Sequence, residues 1–348
     1  MKKTEVLIVG QGLAGTLLSH ELNKLQINHL VISNQQLGAS HIAAGMYNPL
    51  VFKRLTKSWM VDELLPVMQQ TYREFEKLLH FDLLHPIPIA KVIPVEQKSW
   101  WLERINSQQL YDYFDQFISS AEIPGLAENL TLARIKNSGY INLLKLLQHY
   151  RLYLEKRNQF IVDDFNYNAL ELKNGAVFYK NMQAQKIVFC EGAASQNNPW
   201  LPEGIFYPAK GDVLDVFIET LDTKYIINKD IFILPKGKHH FVLGSTYIHQ
   251  FSDAIPDPEN AQMLIQKAQN LVKSPIRLLK HQAGVRPTVK DRRPVLGFNQ
   301  QISAIAFFNG LGTKGVMTGP YFAKLMAKAL STGFTPIDAE VSISRFYK

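Results

Sequence analysis

The chain has 348 residues, 46% hydrophobic and 20% charged, which is enough to bury two cores of ordinary size. The net charge of +8 would suit an acidic partner, but Lys and Arg are dispersed among Asp and Glu, so we interpret the charge mainly as solvated surface. The one cysteine, Cys190, excludes an internal disulfide and a multi-cysteine metal site. No segment reaches the ~18 apolar residues of a membrane helix, so we expect a cytoplasmic protein without a membrane span.

The first feature along the chain is an apolar strand that ends in a glycine-rich turn and runs into a helix. In Gly10-Gln11-Gly12-Leu13-Ala14-Gly15, the first glycine suits the tight turn, the second lets the backbone approach a pyrophosphate, and the third allows close helix packing. The N–H groups at the start of the helix would then hold phosphate. The pattern predicts a dinucleotide-binding βαβ unit.

The second strand, Leu30 to Ser33, lacks a residue that such units usually carry. A carboxylate at its end normally accepts hydrogen bonds from the ribose hydroxyls, whereas this chain has Ser33 and Asn34. Both residues can hydrogen-bond a ribose, less strongly than a carboxylate would.

Helical spacing of apolar residues predicts the main helices. They are expected at Val61 to His80, around Gln108 to Ser119, from Leu143 to Leu154, from Pro258 to Val272 and from Gly315 to Leu330. The proline-broken segment from Phe81 to Pro94 indicates a domain boundary. Strands are expected after Leu154 as far as Phe178, at Ile187 to Cys190, between Tyr207 and Tyr247, and at Ala304 to Phe308.

Three glycine-containing turns follow predicted strands, and such turns suit loops that approach a flat, extended ligand. They are Gly10 to Gly15, Glu191-Gly192-Ala193, and the segment from Asn309 to Gly315. The last opens a helix, and Lys314 beside that helix N-terminus could stabilise negative charge on a cofactor ring. The alternative is an ordinary glycine turn with a surface lysine.

Arg286 lies in the segment His281 to Thr288, which we interpret as an apolar turn fixed by proline. A guanidinium is suited to clamp a carboxylate with two hydrogen bonds, and a structural ion pair is the alternative. The histidines show no metal-ligand spacing, and no G-x-S-x-G elbow indicates a serine nucleophile, so neither a metal site nor a hydrolase is predicted.

Over essentially its full length the chain resembles the D-amino-acid-oxidase-like superfamily of FAD-dependent oxidoreductases. The resemblance rests on the N-terminal fingerprint, the GASHIAAGMYNP loop, Gly139 to Asn142, and Ile187 to Ser195. It continues through Pro208 to Gly211, Ile233 to Pro235, Val242 to Thr246, Ala283 to Pro287, Asp291 to Gly297 and the closing glycine loop. Within the superfamily the chain is similar to glycine oxidases and to the FAD domain of the enzyme that modifies the tRNA wobble uridine.

The resemblance implies an α/β fold, in which a mixed sheet-plus-helix (α+β) substrate domain is inserted into a Rossmann-like FAD-binding domain. The FAD-binding domain would comprise residues 1–80, 136–206 and 281–348, and the substrate domain residues 81–135 and 207–280. The substrate pocket would include Met46, Tyr47, Phe232 and Tyr247. The FAD site would comprise Gly10, Gly12, Leu13, Ala14, Gly15, Ser33, Asn34, Ser40, Ala43, Ala44, Gly45, Met46, Phe165, Glu191, Gly192, Ala193, Arg286, Gly310, Gly312, Thr313, Lys314 and Gly315.

The chain departs from the family pattern at several positions. Phe232 stands where glycine oxidases have a tyrosine, Thr313 where a basic residue is expected, and Gly284 where covalent-flavin members have cysteine. The resemblance therefore implies FAD that is bound non-covalently and a substrate other than glycine.

The predicted reaction is oxidation of a primary or secondary amine, chiefly of an amino acid whose carboxylate Arg286 would hold. Hydride transfer to flavin N5 would give an imine that water hydrolyses, with oxygen or a quinone as the electron acceptor. One alternative is removal of a carboxymethyl group from a modified tRNA wobble uridine, with Lys53, Arg54 and Lys57 on the RNA approach. Another is a non-catalytic flavoprotein.

Overall fold

A computed structural model describes residues 1–34, 36–333 and 336–347. The helices, in chain order, are α1 Leu13–Lys24, α2 Ala39–Ile42, α3 Val61–Leu79, α4 Lys98–Ser107, α5 Leu143–Lys156, α6 Pro258–Gln269 and α7 Gly315–Thr332. The strands are β1 Lys2–Val9, β2 His29–Ser33, β3 Met46–Tyr47, β4 Leu50–Val51, β5 Thr56–Lys57, β6 Leu84–Pro86, β7 Ile89–Ile93, β8 Phe114–Ser119, β9 Thr131–Ile135, β10 Gly139–Ile141, β11 Phe160–Val162, β12 Leu170–Lys173, β13 Ala176–Tyr179, β14 Met182–Phe189, β15 Ala209–Ile218, β16 Ile226–Asn228, β17 Phe232–Gly237, β18 His240–Gly244, β19 Ile276–Arg286, β20 Val295–Phe298 and β21 Ile305–Asn309.

The first large sheet has a parallel centre. Strands β11, β2, β1, β14 and β21 pair in that order, all parallel, while β13 pairs antiparallel with the first half of β14. Their near-continuous apolar runs are typical of strands buried on both faces, and β1 is buried from Val6 to Val9. Helices α1, α5 and α7 pack over one face. The carboxyl ends of β1, β14 and β21 therefore lie at one edge of the sheet, where the three glycine-containing turns follow.

The second large sheet is mostly antiparallel. Its order is β19-β15-β18-β17-β16-β7-β9-β8, and only β16 with β7 pairs in parallel. Helix α6 packs on this sheet and encloses a separate apolar core. A small sheet of order β3-β10-β6 and the β4–β5 hairpin complete the strands.

The predicted helix around Gln108 to Ser119 is wrong. The helix is α4, which ends at Ser107, and the segment from Phe114 to Ser119 is strand β8. The pairing of β8 with β9 shifts register between Phe114 and Phe117, so a bulge interrupts the two-residue alternation. The apolar residues Tyr113, Phe114, Phe117 and Ile118 are consequently spaced as they would be on a helix.

Arg286 was expected in a turn, and the structure instead places it at the end of strand β19. This strand has eleven residues and pairs with β15 throughout. Pro287 ends the strand, because it has no N–H to continue the ladder. The structure also contains α4 and β20, which the sequence did not predict.

Within the described parts of the chain, none of the helices combines the length and the hydropathy needed to cross a bilayer.

Candidate active site

One cavity of about 640 Å³ joins the carboxyl edge of the first sheet to the face of the second. Gly10 and Gly12 after β1, Gly192 after β14 and Gly312 after β21 line it on one side. Arg286 lines it on the other. The site is thus built where parallel strands end, the usual position of ligand sites in such sheets.

The turn after β1 is closely packed. Gly10 has a φ of +102°, and a Cβ there would lie 2.5 Å from the carbonyl oxygen of Cys190. A Cβ on Gly15 would lie 1.9 Å from the carbonyl oxygen of Gly10. The backbone of α1 can therefore approach the strand edge only because both residues lack a side chain.

The N-terminus of α1 is suited to hold an anion. Gly12 precedes the helix without a side-chain cap, and the first turn carries no acidic residue. The Leu13 N–H donates to Ser40 Oγ, 3.2 Å away, which ties the helix start to the Gly38–Met46 loop. The remaining N–H groups of the first turn have no intrahelical acceptor, so they suit the pyrophosphate of FAD.

The other two loops support each other through Asn309. Its amide Nδ2 donates to the Gly192 carbonyl oxygen at 3.0 Å, and its Oδ1 accepts from the Gly310 N–H at 2.8 Å. Glu191 is held by the Tyr167 hydroxyl at 2.6 Å and by Asn198 Nδ2 at 2.8 Å. Burial raises the pKa of Glu191 above its usual range.

At one end of the cavity, a third polar residue, Asp164, lies beside Ser33 and Asn34. It follows the neighbouring strand β11. Ser33 pairs in register with Val162, so the residues that follow the two strands are adjacent. Asn34 Nδ2 donates to Asp164 Oδ1 at 3.1 Å, and both residues line the cavity. No sequence pattern connects these two positions, which are 130 residues apart.

At the opposite end, the guanidinium of Arg286 is held on one edge. Its Nη2 donates to Ser245 Oγ at 2.8 Å, and its Nη1 donates to the Thr246 carbonyl oxygen at 3.2 Å. Gly211 leaves the space for it, since a Cβ there would lie 2.1 Å from Nη2. Burial lowers the pKa of Arg286, although a guanidinium stays charged at neutral pH.

The loop that holds Arg286 is itself anchored on Asp212, which is fully buried. Asp212 accepts hydrogen bonds from Thr246 Oγ1 at 2.9 Å, Asn260 Nδ2 at 2.9 Å and His281 Nε2 at 2.8 Å. A buried carboxylate with several donors is a rigid anchor. Arg286 therefore has a fixed position, as a clamp for an incoming anion requires.

The wall around Arg286 is largely apolar. Met46 and Phe232 line the cavity, and Tyr247 lies with its ring centroid 5.4 Å from the Arg286 Cζ. Tyr47 was also predicted for this wall, but it is buried and its hydroxyl packs against Gly139. An apolar wall beside a charged clamp suits an amino acid with an uncharged side chain.

Lys314 does not line the cavity. It lies at the start of α7, and its Nζ donates to the Ser58 Oγ. Burial lowers the pKa of Lys314 to about 8. If Lys314 stabilises negative charge on a cofactor ring, as predicted, it would therefore do so from behind the glycine loop.

Replacing Lys314 with methionine is expected to raise stability at neutral pH. The folded protein releases the lysine proton near pH 8, whereas the unfolded chain keeps it to about pH 10.5, so the free energy of unfolding rises with pH between those values. In the methionine variant this rise is absent. Urea unfolding at pH 7 and pH 10 should show an advantage for the variant at pH 7 that has largely disappeared at pH 10. An equal difference at both pH values would contradict the placement.

The structure brings most of the predicted cofactor and substrate residues together. The residues that line the cavity are Gly10, Gly12, Leu13, Ala14, Ser33, Asn34, Ser40, Ala43, Ala44, Gly45, Met46, Phe165, Glu191, Gly192, Ala193, Phe232, Tyr247, Arg286, Gly312, Thr313 and Gly315. Gly15, Tyr47, Gly310 and Lys314 lie behind it, as packing residues. Sequence reasoning missed Gly211, Ser245 and Asp164, which reach the site through strand pairing between distant segments.

One group of possible metal ligands lies elsewhere and is already neutralised. His20, Glu21 and Glu74 come within ligand distance of one another. Lys24 Nζ lies 3.0 Å from Glu21 Oε1 and 2.8 Å from Glu74 Oε2. The ammonium thus supplies the positive charge that the carboxylates need.

Comparison with known proteins supports this description. A model of the family described as "FAD dependent oxidoreductase" (DAO) matches residues 5–329. The chain is 24% identical over 191 residues to the tRNA 5-methylaminomethyl-2-thiouridine biosynthesis bifunctional protein of Idiomarina loihiensis, covering 51% of the chain and 30% of that protein. It is 26% identical over 125 residues to glycine oxidase of Bacillus subtilis, covering 35% of the chain and 34% of that enzyme. The matches thus span about a third of each relative.

The fold is that of a solved glycine oxidase. The crystal structure of the enzyme from Geobacillus kaustophilus superposes with a TM-score of 0.80 at 20% identity and covers 97% of both chains. At this identity the likeness shows the fold alone. It confirms the predicted fold class, a Rossmann-like unit with a mixed sheet.

Proposed function

Because the chain belongs to the DAO family of FAD-dependent oxidoreductases, we propose that it oxidises an amino acid at the C–N bond next to the carboxylate. The observation that carries this proposal is Arg286. Its guanidinium is held by Ser245 and Thr246 and lines the same cavity as the glycine turns. A fixed cation in an apolar pocket beside a redox cofactor suits a substrate with a carboxylate.

We propose that the strands of the first sheet and their helices hold FAD, as residues 1–80, 136–206 and 281–348. Residues 81–135 and 207–280, which carry most of the second sheet, would cover the substrate. The α1 N-terminus has no side-chain cap and no acidic residue in its first turn. This feature and the close packing at Gly10 and Gly15 support binding of the pyrophosphate there. When bound, FAD supplies the acceptor for a hydride from the substrate.

The residues of the chain would orient the substrate and keep water away. Arg286 would bind the carboxylate, and Phe232, Met46 and Tyr247 would surround the side chain. The amine would lose its proton to solvent as the substrate enters this apolar pocket, so that no side chain has to act as a base. Hydrolysis of the resulting imine would release an oxo acid and ammonia or an amine.

The experiment that tests this proposal measures product. Purified protein with FAD is incubated with D- and L-amino acids, proline, sarcosine and glycine, and oxo acid and ammonia are quantified in air and with a quinone. An oxo acid from one amino acid supports the proposal and identifies the acceptor. Turnover of amines that lack a carboxylate, at equal rates, would contradict the role of Arg286. The acceptor and the cytoplasmic location stay predictions.

A second candidate is oxidative removal of a carboxymethyl group from a tRNA nucleotide. The match to the tRNA-modifying relative and the net charge of +8 favour it. Lys53 and Arg54 are exposed after the Gly38–Met46 loop, whereas Lys57 is paired with Asp62 at 2.8 Å. Salt-sensitive tRNA binding would support this candidate, and no binding at low ionic strength would exclude it.

A non-catalytic flavoprotein is the third candidate. It predicts bound FAD that no amine reduces under anaerobic conditions. The fixed position of Arg286 in the cavity argues against it, because a protein that only stores FAD has no use for a carboxylate clamp.

Asp164 is expected to provide the ribose contact that Ser33 lacks. Its carboxylate lines the cavity beside Ser33 and has Asn34 as its partner. A hydrogen bond to a carboxylate contributes about 1.5–3 kcal/mol, so Asp164→Asn should weaken FAD binding roughly tenfold or more. The measurement is the FAD dissociation constant of apoprotein, by flavin fluorescence.

The matched control for this prediction is Asp163→Asn. Asp163 lines the cavity as well, but its carboxylate already accepts from the Tyr179 hydroxyl at 3.1 Å and from Lys180 Nζ at 2.6 Å. Its loss should lower the melting temperature rather than the affinity for FAD. Equal effects of the two variants on FAD binding would contradict the assignment.

FAD is expected to be released intact when the protein is denatured with acid. Gly284 stands where covalent members have cysteine. The one cysteine among the described residues, Cys190, lines the cavity but is buried, and burial raises the pKa of its thiol. The measurement compares flavin absorbance in the supernatant and in the pellet after precipitation. Yellow colour that stays with the washed pellet would contradict non-covalent binding.

A further inference from the structure

A second cavity of about 910 Å³ lies apart from the proposed FAD site. The end of α3, the loop after it, β6, β10, the start of α5 and the tip of β17 form its wall. Its charged lining is mainly basic, with Arg73, Lys77, Lys145 and Lys236, against the two acidic residues Glu76 and Asp82. His80 and His85 also line it.

The cations of this basic cavity outnumber the two carboxylates that line it. In the parts of the chain that the structure describes, Arg73, Lys77, Lys145 and Lys236 form no ion pair. Lys24, by contrast, lies between the carboxylates of Glu21 and Glu74. The net positive charge of this lining would attract an anion into the cavity.

One of the two acidic residues that line the cavity, Glu76, already accepts backbone hydrogen bonds, whereas Asp82 is exposed. Glu76 Oε1 accepts from the backbone N–H groups of Leu83 and Leu84, both at 2.8 Å. These bonds draw the Glu76 carboxylate toward the chain that follows α3. The carboxylate thus stabilises the loop rather than neutralising Arg73 or Lys77.

Two of the lysines are positioned by aromatic rings. Lys145 Nζ lies 4.4 Å from the centroid of Phe81, and Lys236 Nζ lies 3.6 Å from the centroid of Tyr140. The other face of Tyr140 is covered by His85, at 4.6 Å between centroids. Both faces of the Tyr140 ring are therefore occupied.

The start of α5 adds to the positive electrostatic potential of the basic cavity. Asn142 caps this helix by accepting from the Lys145 N–H at 3.2 Å, and Asn142 itself lines the cavity. The partial positive charge of a helix N-terminus adds to that of the surrounding side chains. Arg73 supplies a planar donor and the lysines supply point charges, a combination typical of phosphate recognition.

From this charge distribution we propose that the basic cavity binds a ligand with two or more linked phosphates. Four cations against two carboxylates suit the charge of a diphosphate better than that of a single carboxylate, and a guanidinium with several ammonium groups suits phosphate oxygens. The proposal does not depend on the function of the first cavity.

The basic cavity is close to the proposed substrate pocket. Tyr140 pairs in register with Met46, so strand β10 has one cavity on each side. Phe232 and Lys236 lie on the same strand, four residues or roughly 13 Å apart. A bound diphosphate would therefore contact β17, which carries Phe232, and β10, which pairs with the strand that carries Met46.

The test is calorimetric titration of the FAD-loaded protein with pyrophosphate, because bound FAD excludes binding at the α1 N-terminus. We expect pyrophosphate to bind at low ionic strength and the double variant K77A/K145A to weaken its affinity at least tenfold. The matched control K156A/K267A removes the same charge from exposed helical positions outside the cavity, and it should change the affinity less than twofold. Unchanged melting temperatures show that both variants are folded.

Further titrations distinguish the source of the phosphates. Affinity for ADP equal to that for pyrophosphate indicates recognition of the phosphates alone, and tighter ADP binding indicates an organic diphosphate. No pyrophosphate binding at low salt would overturn the proposal. Equal weakening by the two double variants would also overturn it, as would binding of an RNA oligonucleotide when neither small phosphate binds.

Discussion

Replacing Arg286 with alanine is expected to lower kcat/KM for the amino-acid substrate at least a hundredfold while FAD stays bound. A guanidinium fixed by Ser245 and Thr246 can form two hydrogen bonds with a carboxylate, and a charged pair in an apolar pocket contributes several kcal/mol. Every 1.36 kcal/mol changes the rate tenfold. The measurement is steady-state kinetics with the best amino acid from the product screen.

The matched control is Arg277→Ala on the same strand. Arg277 lies at the other end of β19, with its Cζ 5.0 Å from the ring centroid of Phe217. It does not line the cavity, so its loss should change kcat/KM less than threefold. A lysine at position 286 should recover part of the activity, because it restores charge without the second hydrogen bond. Equal activity of R286A and wild type on a carboxylate substrate would contradict the clamp.

Replacing Gly15 with alanine is expected to give a destabilised protein that no longer retains FAD. The new Cβ would lie 1.9 Å from the carbonyl oxygen of Gly10, so α1 must move away from the end of β1. Overpacking of this kind typically costs about 1–3 kcal/mol, and the atom in closest contact belongs to the backbone, which cannot move aside as the end of a flexible side chain could. The measurement is the melting temperature together with the ratio of flavin to protein after gel filtration.

The control for Gly15 is Gly38→Ala. Gly38 lines the cavity, and no atom lies within 4 Å of a Cβ built on it. This variant should melt close to wild type. If Gly15→Ala behaves in the same way, the helix is not held against the strand as described.

The local features of the FAD region could be predicted from sequence, because they depend on neighbouring residues. The strand-turn-helix unit at Gly10 to Gly15 is a continuous segment, and its glycines have the packing contacts that their spacing indicated. The helix α3 was predicted because nineteen consecutive residues keep one apolar face. Strand β8 could not be predicted from sequence, because its bulge spaces the apolar residues as they would be spaced on a helix.

The site could be predicted only where a motif lies within one segment. Arg286 was selected from its own surroundings, but its partners Ser245 and Thr246 are 41 and 40 residues away and meet it across the pairing of β19, β15 and β18. Asp164 reaches the end of β2 through the parallel strand β11. Sequence patterns report on local periodicity, and contacts of this kind depend on the order of strands in a sheet.

The most direct test of the account is the visible absorption spectrum of the FAD-loaded protein, recorded anaerobically before and after addition of amino acids. We predict that the flavin bands bleach with at least one amino acid and that this bleaching is lost in R286A, whereas dithionite bleaches both proteins. Flavin bands that no amino acid bleaches, in a protein that dithionite does reduce, would contradict amino-acid oxidation.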